Sequence, residues 1–473
     1  MIWIILLTGF VLRLISLNQS LWLDEAINIQ AAKSFSLVGM LTQYATADFH
    51  PPGWFATAWI WGKLFGYSEI AMRFPSVVFG IATIYVTYLI GKKLISKNVG
   101  LFAALFLSIN PLHIYYSQEA RMYSLATLAV TINILLIIKL IKGEKINLIF
   151  LMISNLGVLL SDYIAYFIFP AVFILFLLIK EKEVLKKWIM ALTGALVLSI
   201  WWLPIFLSQL DVGATASSNL PTWKFVVGAF DFKSIPLTFI KFIIGRISLA
   251  DKILYAALLI PVVSIFTYLL WKGVRNLAKL PRNLLLAWVI IPPLIATAVS
   301  IFIPVYSYFR VLFIIPGFMI LVASGILYFK NRLRYIFLSF VVLIQIFCSL
   351  VYLLNPAYQR EDWKGLVSFL NNVQPPIVLF ESSGTLPPFD YYAKDELNAK
   401  GALKDFPARN ESELADLGNL LKNYGEVYLI DYLVQISDPD RLVTKRLLSL
   451  GYKELDVKDF HGVGFVYHFV KND

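Results

Sequence analysis

The sequence predicts a polytopic α-helical membrane protein of about eleven spans, followed by a C-terminal extracytoplasmic α/β domain. Three observations predict it. Hydrophobic residues fill 59% of 473 positions and charged residues only 15%, where a soluble domain carries about 25% charge. The apolar residues gather into runs of spanning length, and the basic residues fall in alternate loops. A soluble core cannot bury this much apolar surface, so lipid is the solvent over most of the length.

Runs able to cross about 30 Å of hydrocarbon lie near 1–18, 70–91, 99–116, 122–141, 146–161, 163–180, 188–207, 253–271, 283–304, 309–329 and 335–354. The stretch at 53–65 is shorter. The first run lacks a basic leader and a small-residue cleavage site, and it carries Arg13 near its far end. It reads as a span and not as a cleaved signal.

Orientation follows from the lysines and arginines. Lys92, Lys93 and Lys97 fall in one loop, and Lys139, Lys142 and Lys145 in the next such loop. Lys180, Lys182, Lys186 and Lys187, then Lys272, Arg275, Lys279 and Arg282, then Lys330, Arg332 and Arg334 complete the set. These five loops hold 17 of the 28 basic residues in 1–355. The positive-inside rule makes their side the cytoplasm. An odd number of spans then leaves the N-terminus inside and the tail outside, with 18–69, 117–121, the turn at Asp162, 208–252 and 304–310 on the outer face.

The net charge of +11 does not indicate a nucleic-acid partner. Residues 1–355 hold 28 Lys and Arg against 12 Asp and Glu, whereas 356–473 hold 13 against 18. The excess belongs to the membrane part. The one cysteine, Cys348, lies in an apolar run, so no intrachain disulfide forms.

The tail, 356–473, reads as a small α/β domain outside the 1–355 membrane domain. Residues 363–373 have helical spacing, 376–381 read as a buried strand, and 413–425 as a helix ending at Gly425. Residues 427–431 form a second strand. Asp438 and Pro439 read as the cap and first turn of a helix reaching about Leu450, and 462–470 would close the sheet. The tail carries no phosphate loop, metal-spaced cluster or nucleophile elbow, so it reads as a structural or acceptor-contacting cap.

The chemistry-bearing residues sit on the outer face. Asp24 and Glu25 follow the first span in SLWLDEAINIQ. The same loop continues with Asp48-Phe49-His50-Pro51-Pro52-Gly53-Trp54 and ends near Glu69 and Arg73. The second outward loop, HIYYSQEARMYSL, holds Gln118, Glu119, Arg121 and Tyr123. Arg246 lies in the 208–252 segment. The fifth loop, PVYSYFRVLFIIP, holds Tyr306, Tyr308 and Arg310. The tail opens with Arg360, Glu361 and Asp362 in NPAYQREDWKG.

In these segments the chain resembles the GT-C polyprenyl-phosphate-sugar glycosyltransferases, with the protein O-mannosyltransferase and aminoarabinose-transferase branches nearest. The resemblance rests on LDEA after the first span, DxHPP before the second, the YSQEARMY loop, an arginine opening a late span, and REDWKG at the start of the tail. It implies a lipid-linked sugar donor, work on the extracytoplasmic face, and an acidic catalytic residue matching Asp24. No sugar-binding repeat domain is inserted between spans, a departure from the O-mannosyltransferase branch that leaves lipid, glycan and protein acceptors all open.

The chemistry fits independently of that resemblance. Transfer from a polyprenyl phosphate needs a carboxylate to take the proton of the attacking hydroxyl, and cations where charge grows on the departing phosphate. Arginine suits the second task because its fork binds bidentately. On this reading Asp24, Glu25 and Asp48 are the catalytic candidates. His50, Gln118, Glu119, Arg121, Tyr123, Arg246, Tyr306 and Arg310 are the substrate-binding ones.

Plainer roles are open to each of these. Asp24 or Glu25 caps a helix, Arg121 and Arg310 snorkel at span ends, and Glu119 orients Arg121 as an ion pair. His50 beside Asp48 either holds a structural hydrogen bond or gives two of the ligands of a divalent metal. Trp22, Trp54, Trp59, Trp61, Trp201, Trp202 and Trp223 read as an interfacial belt.

Two other function classes remain. A carrier or flippase of a lipid-linked or amphipathic substrate would need mid-membrane charge and an internal repeat, and neither shows in the sequence. A non-catalytic scaffold would leave the outward acids and arginines individually dispensable.

The topology is directly testable. Protease added to intact spheroplasts is expected to remove the tail beyond about Asn355; protection until the membrane is permeabilised would reverse the assignment.

Overall fold

The computed structural model describes residues 1–219, 228, 231–393, 396–404, 407–408 and 410–471. The chain divides into two compact units. One comprises Met1–Leu17, Phe35–Ala214 and Val227–Tyr358; the other comprises Asn18–Ser34, Thr215–Val226 and Gln359–Asp473.

The first unit is a multi-pass membrane bundle. Hydrocarbon offers backbone groups no partner, so each span closes its own hydrogen bonds as a helix. Six helices among the described residues are long and apolar enough to cross: Glu69–Leu94, Tyr123–Ile141, Lys182–Thr215, Lys252–Asn276, Lys279–Val299 and Asn331–Leu354. A seventh crossing is formed if Lys97–Ser108 and Pro111–Ser117, bent by 63°, act as one span. The remaining expected runs are shorter apolar helices, at Ile2–Leu14, Leu148–Ser161, Ile164–Ile179 and Leu312–Tyr328. The 53–65 stretch is the helix Pro52–Phe65.

The expected outward segment 208–252 is not an open loop. Leu203–Asn219 and Ser234–Ile244 are helical. The helix Ser234–Ile244, SIPLTFIKFII, is apolar but shorter than a span.

Local chemistry sets the ends and bends. Ser68, Ser96, Asn147 and Asp251 accept first-turn N–H groups of the helices they precede. The 63° bend falls where Pro111 removes a donor and Asn110 starts a new helix by accepting from His113 N–H. The bend strands the last carbonyls of the preceding helix, and Arg13 takes them. Its Nη1 donates to Ser108 O at 3.0 Å and Nη2 to Leu107 O at 3.4 Å, with His113 Nδ1 at 2.6 Å. Arg73 Nη1 donates to Leu17 O at 2.9 Å and fixes the end of the first helix. The Lys252–Asn276 and Leu312–Tyr328 helices touch through backbone: a Cβ at Gly325 would lie 1.9 Å from Leu269 O.

The second unit is a five-stranded mixed sheet. Strands β1 (Val378–Phe380), β2 (Ala399–Gly401), β3 (Glu426–Ile430), β4 (Tyr452–Phe460) and β5 (Gly464–Lys471) take the order β2-β1-β3-β5-β4. β1 pairs in parallel with β2 and β3, whereas β5 runs antiparallel to both β3 and β4. Period-two alternation splits the core. Val378, Phe380, Tyr428 and Ile430 pack under the Trp363–Val373 helix, while Ile377, Leu379, Val427 and Leu429 meet Leu417, Val443 and Leu447 on the other face. The helix Leu23–Ser34 joins the first face through Leu23.

Three expectations for the tail are corrected. Residues 413–425 do not form one helix. Lys404 N–H donates to Glu413 O and Ala415 N–H to Ala402 O, drawing 413–415 along the neighbouring chain and leaving one helical turn, Leu417–Leu420, capped by Asp416. The helix after Asp438 begins later, at Leu442, because the Asp438 carboxylate accepts from Leu442 and Val443 N–H across a left-handed Arg441. Residues 462–470 supply an inner strand, and the sheet closes with β4, whose KELDVKD is exposed throughout and gives no buried stripe to read.

Candidate active site

Within the membrane unit, residues from four separated segments between helices converge. Asp48 is the hub. One carboxylate oxygen meets His50 Nδ1 at 2.5 Å and accepts from Phe49 N–H; the other accepts from Tyr44 Oη at 3.3 Å. Burial works to raise the Asp48 pKa, but the charge and hydrogen bond of His50, with Arg121 and the Phe49 N–H, outweigh it and hold the carboxyl at about 2. Asp48 is therefore an anion at neutral pH. On the far side of the imidazole, Arg121 Nη2 lies 3.5 Å from His50 Nε2. A guanidinium only donates, so in the neutral ring Nε2 would accept from Arg121 and Nδ1 would carry the proton toward Asp48, whereas in the charged ring both nitrogens donate and Asp48 alone is the partner.

The third segment brings Asp162, in the turn between Leu148–Ser161 and Ile164–Ile179. Its carboxylate accepts from Ile164 N–H at 2.8 Å. Burial raises its pKa, against the charges of His50, Arg310 and Arg121 and that N–H bond. Both arginines thus act on one buried carboxylate. Arg310 donates from Nη1 to Val305 O at 3.5 Å, and its Nε is buried with no partner among the described residues.

Two devices hold the His50 segment. Gly53 is needed because a Cβ there would sit 2.4 Å from Leu160 O, so only glycine lets the HPPG turn lie against the segment that leads to Asp162. Gln209 Nε2 donates to Ala45 O at 2.6 Å and His50 O at 3.0 Å, while its Oε1 accepts from Tyr163 Oη at 2.5 Å. Trp202 Nε1 donates to that same hydroxyl at 2.8 Å.

The segments at 115–123 and 306–310 meet through rings. Phe309 lies 5.8 Å from Tyr116 and 5.4 Å from Tyr123, with Tyr308 against Phe309 at 5.3 Å. Arg246 stacks 4.5 Å above Tyr115 and donates to its hydroxyl. Glu119, almost wholly buried, and Arg246 both act on Tyr116.

Other expected site residues take structural posts. Gln118 Nε2 donates to Arg13 O and Ile15 O, and its Oε1 accepts from Tyr352 Oη. Tyr306 Oη pairs with Thr238 Oγ1 at 2.8 Å in a buried contact. The belt reading fails for Trp54 and Trp202, which are buried. Trp223 lies outside the described residues. Asp162, Tyr163 and Gln209 were missed as site residues, and the isolated acid in the SDY turn was the available signal.

Asp24 and Glu25 belong to the second unit. Asp24 is half-buried in the first turn of Leu23–Ser34, with Asn28 Nδ2 donating to its carbonyl at 2.9 Å. Glu25 is fully buried and its Oε2 accepts from Trp22 N–H at 3.4 Å, a reach back across the helix start. As for a metal, no group of three or more His, Cys, Asp or Glu suited to one occurs among the described residues. Asp48 and His50 bind each other.

Residues 49–205 match the family model described as dolichyl-phosphate-mannose-protein mannosyltransferase. Across 98% of the chain and 96% of its own, the backbone is similar to ArnT from Cupriavidus metallidurans bound to undecaprenyl phosphate, with TM-score 0.57 and 12% identity. The fold is that of the GT-C glycosyltransferases. It is also shared with the Archaeoglobus fulgidus oligosaccharyltransferase AglB, in complex with an inhibitory peptide and a dolichol-phosphate, at TM-score 0.52 and 12% identity over 98% of this chain and 74% of that one. By sequence, the chain is 30% identical over 197 residues to an uncharacterized protein of Aquifex aeolicus, covering 39% of this chain and 38% of that relative.

Both arginines are testable as anion ligands. Arg121→Lys and Arg310→Lys are each expected to weaken binding of a polyprenyl phosphate in detergent by about tenfold, since a point charge replaces a fork. Unchanged affinity in both would return them to span-end anchoring.

Proposed function

We propose that this chain is an inverting membrane glycosyltransferase that moves one sugar from a polyprenyl-phosphate donor to an acceptor on the extracytoplasmic face. The observation that carries this reading is the placement of buried Asp162 within the fields of both Arg121 and Arg310, with His50 3.5 Å from Arg121 and Asp48 on the far side of that ring. The GT-C fold and the mannosyltransferase-type match support it.

In the reaction, the acceptor hydroxyl oxygen forms a bond to the anomeric carbon as that carbon's bond to the phosphate oxygen breaks. The electron pair leaves on the polyprenyl phosphate, and the hydroxyl proton passes to Asp24. One displacement inverts the anomeric centre. A phosphate monoester is a weak base, so it departs without a general acid. What it needs is positive charge, which Arg121 and Arg310 supply in a site of low dielectric. Arg246 stacked on Tyr115, with Tyr116 and Tyr123 nearby, offers apolar faces for a sugar ring or for the first isoprene unit.

Orientation belongs to the same proposal. The basic loops lie in the cytoplasm, and the arginine cluster and the C-terminal unit lie outside. The acceptor is a lipid, glycan or protein.

Asp24→Asn tests the base. The amide keeps the shape and caps a helix about as well as aspartate, but it cannot take the proton. Turnover is expected to fall by about 10²–10⁴-fold, with donor binding and melting temperature in detergent unchanged. A stable variant that binds donor and transfers sugar at the native rate would remove Asp24 from the mechanism.

A further inference from the structure

The segment that leads out of the last span ends in a clamp on the helix that carries Asp24, and all of it lies within the second unit. Glu361 is the centre of the clamp. Its Oε2 accepts from Trp363 Nε1 at 2.7 Å, and its two oxygens lie 2.9 and 3.1 Å from Tyr432 Oη. Tyr432 follows strand β3 and meets Trp363 edge-on, with ring centres 4.8 Å apart. Trp363 and Tyr432 belong to the core cluster against which Leu23 packs. Leu23 opens the Leu23–Ser34 helix and immediately precedes Asp24.

The clamp is reinforced on both sides. Arg360 N–H donates to Gln19 Oε1 at 3.0 Å, and Lys364 N–H donates to Ser20 Oγ at 3.2 Å. Leu21 N–H donates to Tyr392 Oη at 2.8 Å. Leu23 itself packs on the core that holds Trp363 and Tyr432. The residues just before Asp24 are thus fixed by the C-terminal domain at several points, and one of these ties runs through an ionisable side chain.

We propose that Glu361 is a positioning residue for Asp24: its carboxylate holds the Trp363 and Tyr432 rings of the cluster on which Leu23 packs, and so the first turn of the helix that presents the base. The C-terminal domain is then a working part of the transferase and more than a cap. The inference rests on Asp24 being that base.

The chemistry gives the device a pH dependence. An ionised carboxylate accepts charge-assisted hydrogen bonds from the phenol and the indole; once protonated it accepts them weakly. Four neighbours act on Glu361: Trp363, Tyr432, Asp24 from the first-loop helix and Arg360 from its own segment. Burial and the nearby Asp24 charge push its pKa up to about 7, against the two hydrogen bonds and Arg360. Above that pH Glu361 is ionised and the clamp is tight; as pH falls through it, Glu361 takes a proton and the clamp loosens.

The test compares Glu361→Gln and Tyr432→Phe with wild type in pH profiles of kcat and of donor KM. Wild-type kcat is expected to fall on the acid side with a midpoint near 7. Glu361→Gln should lose that limb and run about tenfold slower at pH 8, with donor KM unchanged. Tyr432→Phe should be slow at every pH. Tryptophan emission gives a reading independent of transfer, because Trp363 donates to Glu361: a wild-type transition near pH 7 should vanish in Glu361→Gln. If that variant does not fold, Glu361→Asp, which keeps the charge, should restore both the limb and the transition. A Glu361→Gln protein with native kcat and an intact acid limb, or a wild type without the emission change, overturns the proposal. With Asp24→Asn run alongside, the two readings separate. Native transfer by Asp24→Asn sinks the base assignment; lost transfer with a native Glu361→Gln profile sinks only the clamp.

Discussion

A guanidinium that must receive an anionic headgroup needs partners that hold it without cancelling its charge. Bound directly to a carboxylate, it would be neutralised; left alone near hydrocarbon, it would turn toward water. The membrane unit places an imidazole in between. Asp48 holds the His50 ring through Nδ1, and Nε2 on its far side lies 3.5 Å from Arg121, so the carboxylate and the cation stand on opposite sides of one imidazole. Asp162 stands buried within the fields of both arginines, whose charges oppose the upward push of burial on its carboxyl. Tyr163, Gln209, Trp202 and Gly53 all serve to keep the His50 segment in that position.

The bilayer explains why the chemistry collects in turns. Spans must be apolar and closed on their own hydrogen bonds, so titratable side chains gather where helices end. Some polar groups that enter the bundle serve its structure: Arg13 closes the carbonyls freed by the bend at Pro111, and Gln118 is tied to the end of the first helix. A carrier would need such groups lining a mid-membrane path. Here they repair backbone.

Much of this was legible in the residues. Hydropathy gave the eleven apolar runs of the bundle, and the DxHPP, YSQEARMY and YSYFR segments supplied Asp48, His50, Arg121 and Arg310. Asp162, Tyr163 and Gln209 were not legible, because a single acid in a two-residue turn and a glutamine inside an apolar helix carry no periodic signal. Their meaning is purely spatial. The helix at Leu23–Ser34 shows the same limit: its sequence neighbours are membrane spans, whereas its packing partners are Trp363 and Tyr392, more than 300 positions away. Strand β4 escaped for the opposite reason, having no buried face to give an alternation.

The central claim is that the converging arginines serve a sugar attached to a lipid phosphate. The most direct measurement is incubation of the purified protein in detergent with a panel of radiolabelled polyprenyl-phosphate sugars, following the label in the lipid fraction with and without a cell-envelope extract as acceptor. At least one sugar is predicted to leave the lipid carrier, with the free polyprenyl phosphate recovered. Full retention of label on every carrier, by a protein that still binds polyprenyl phosphate, would contradict the account.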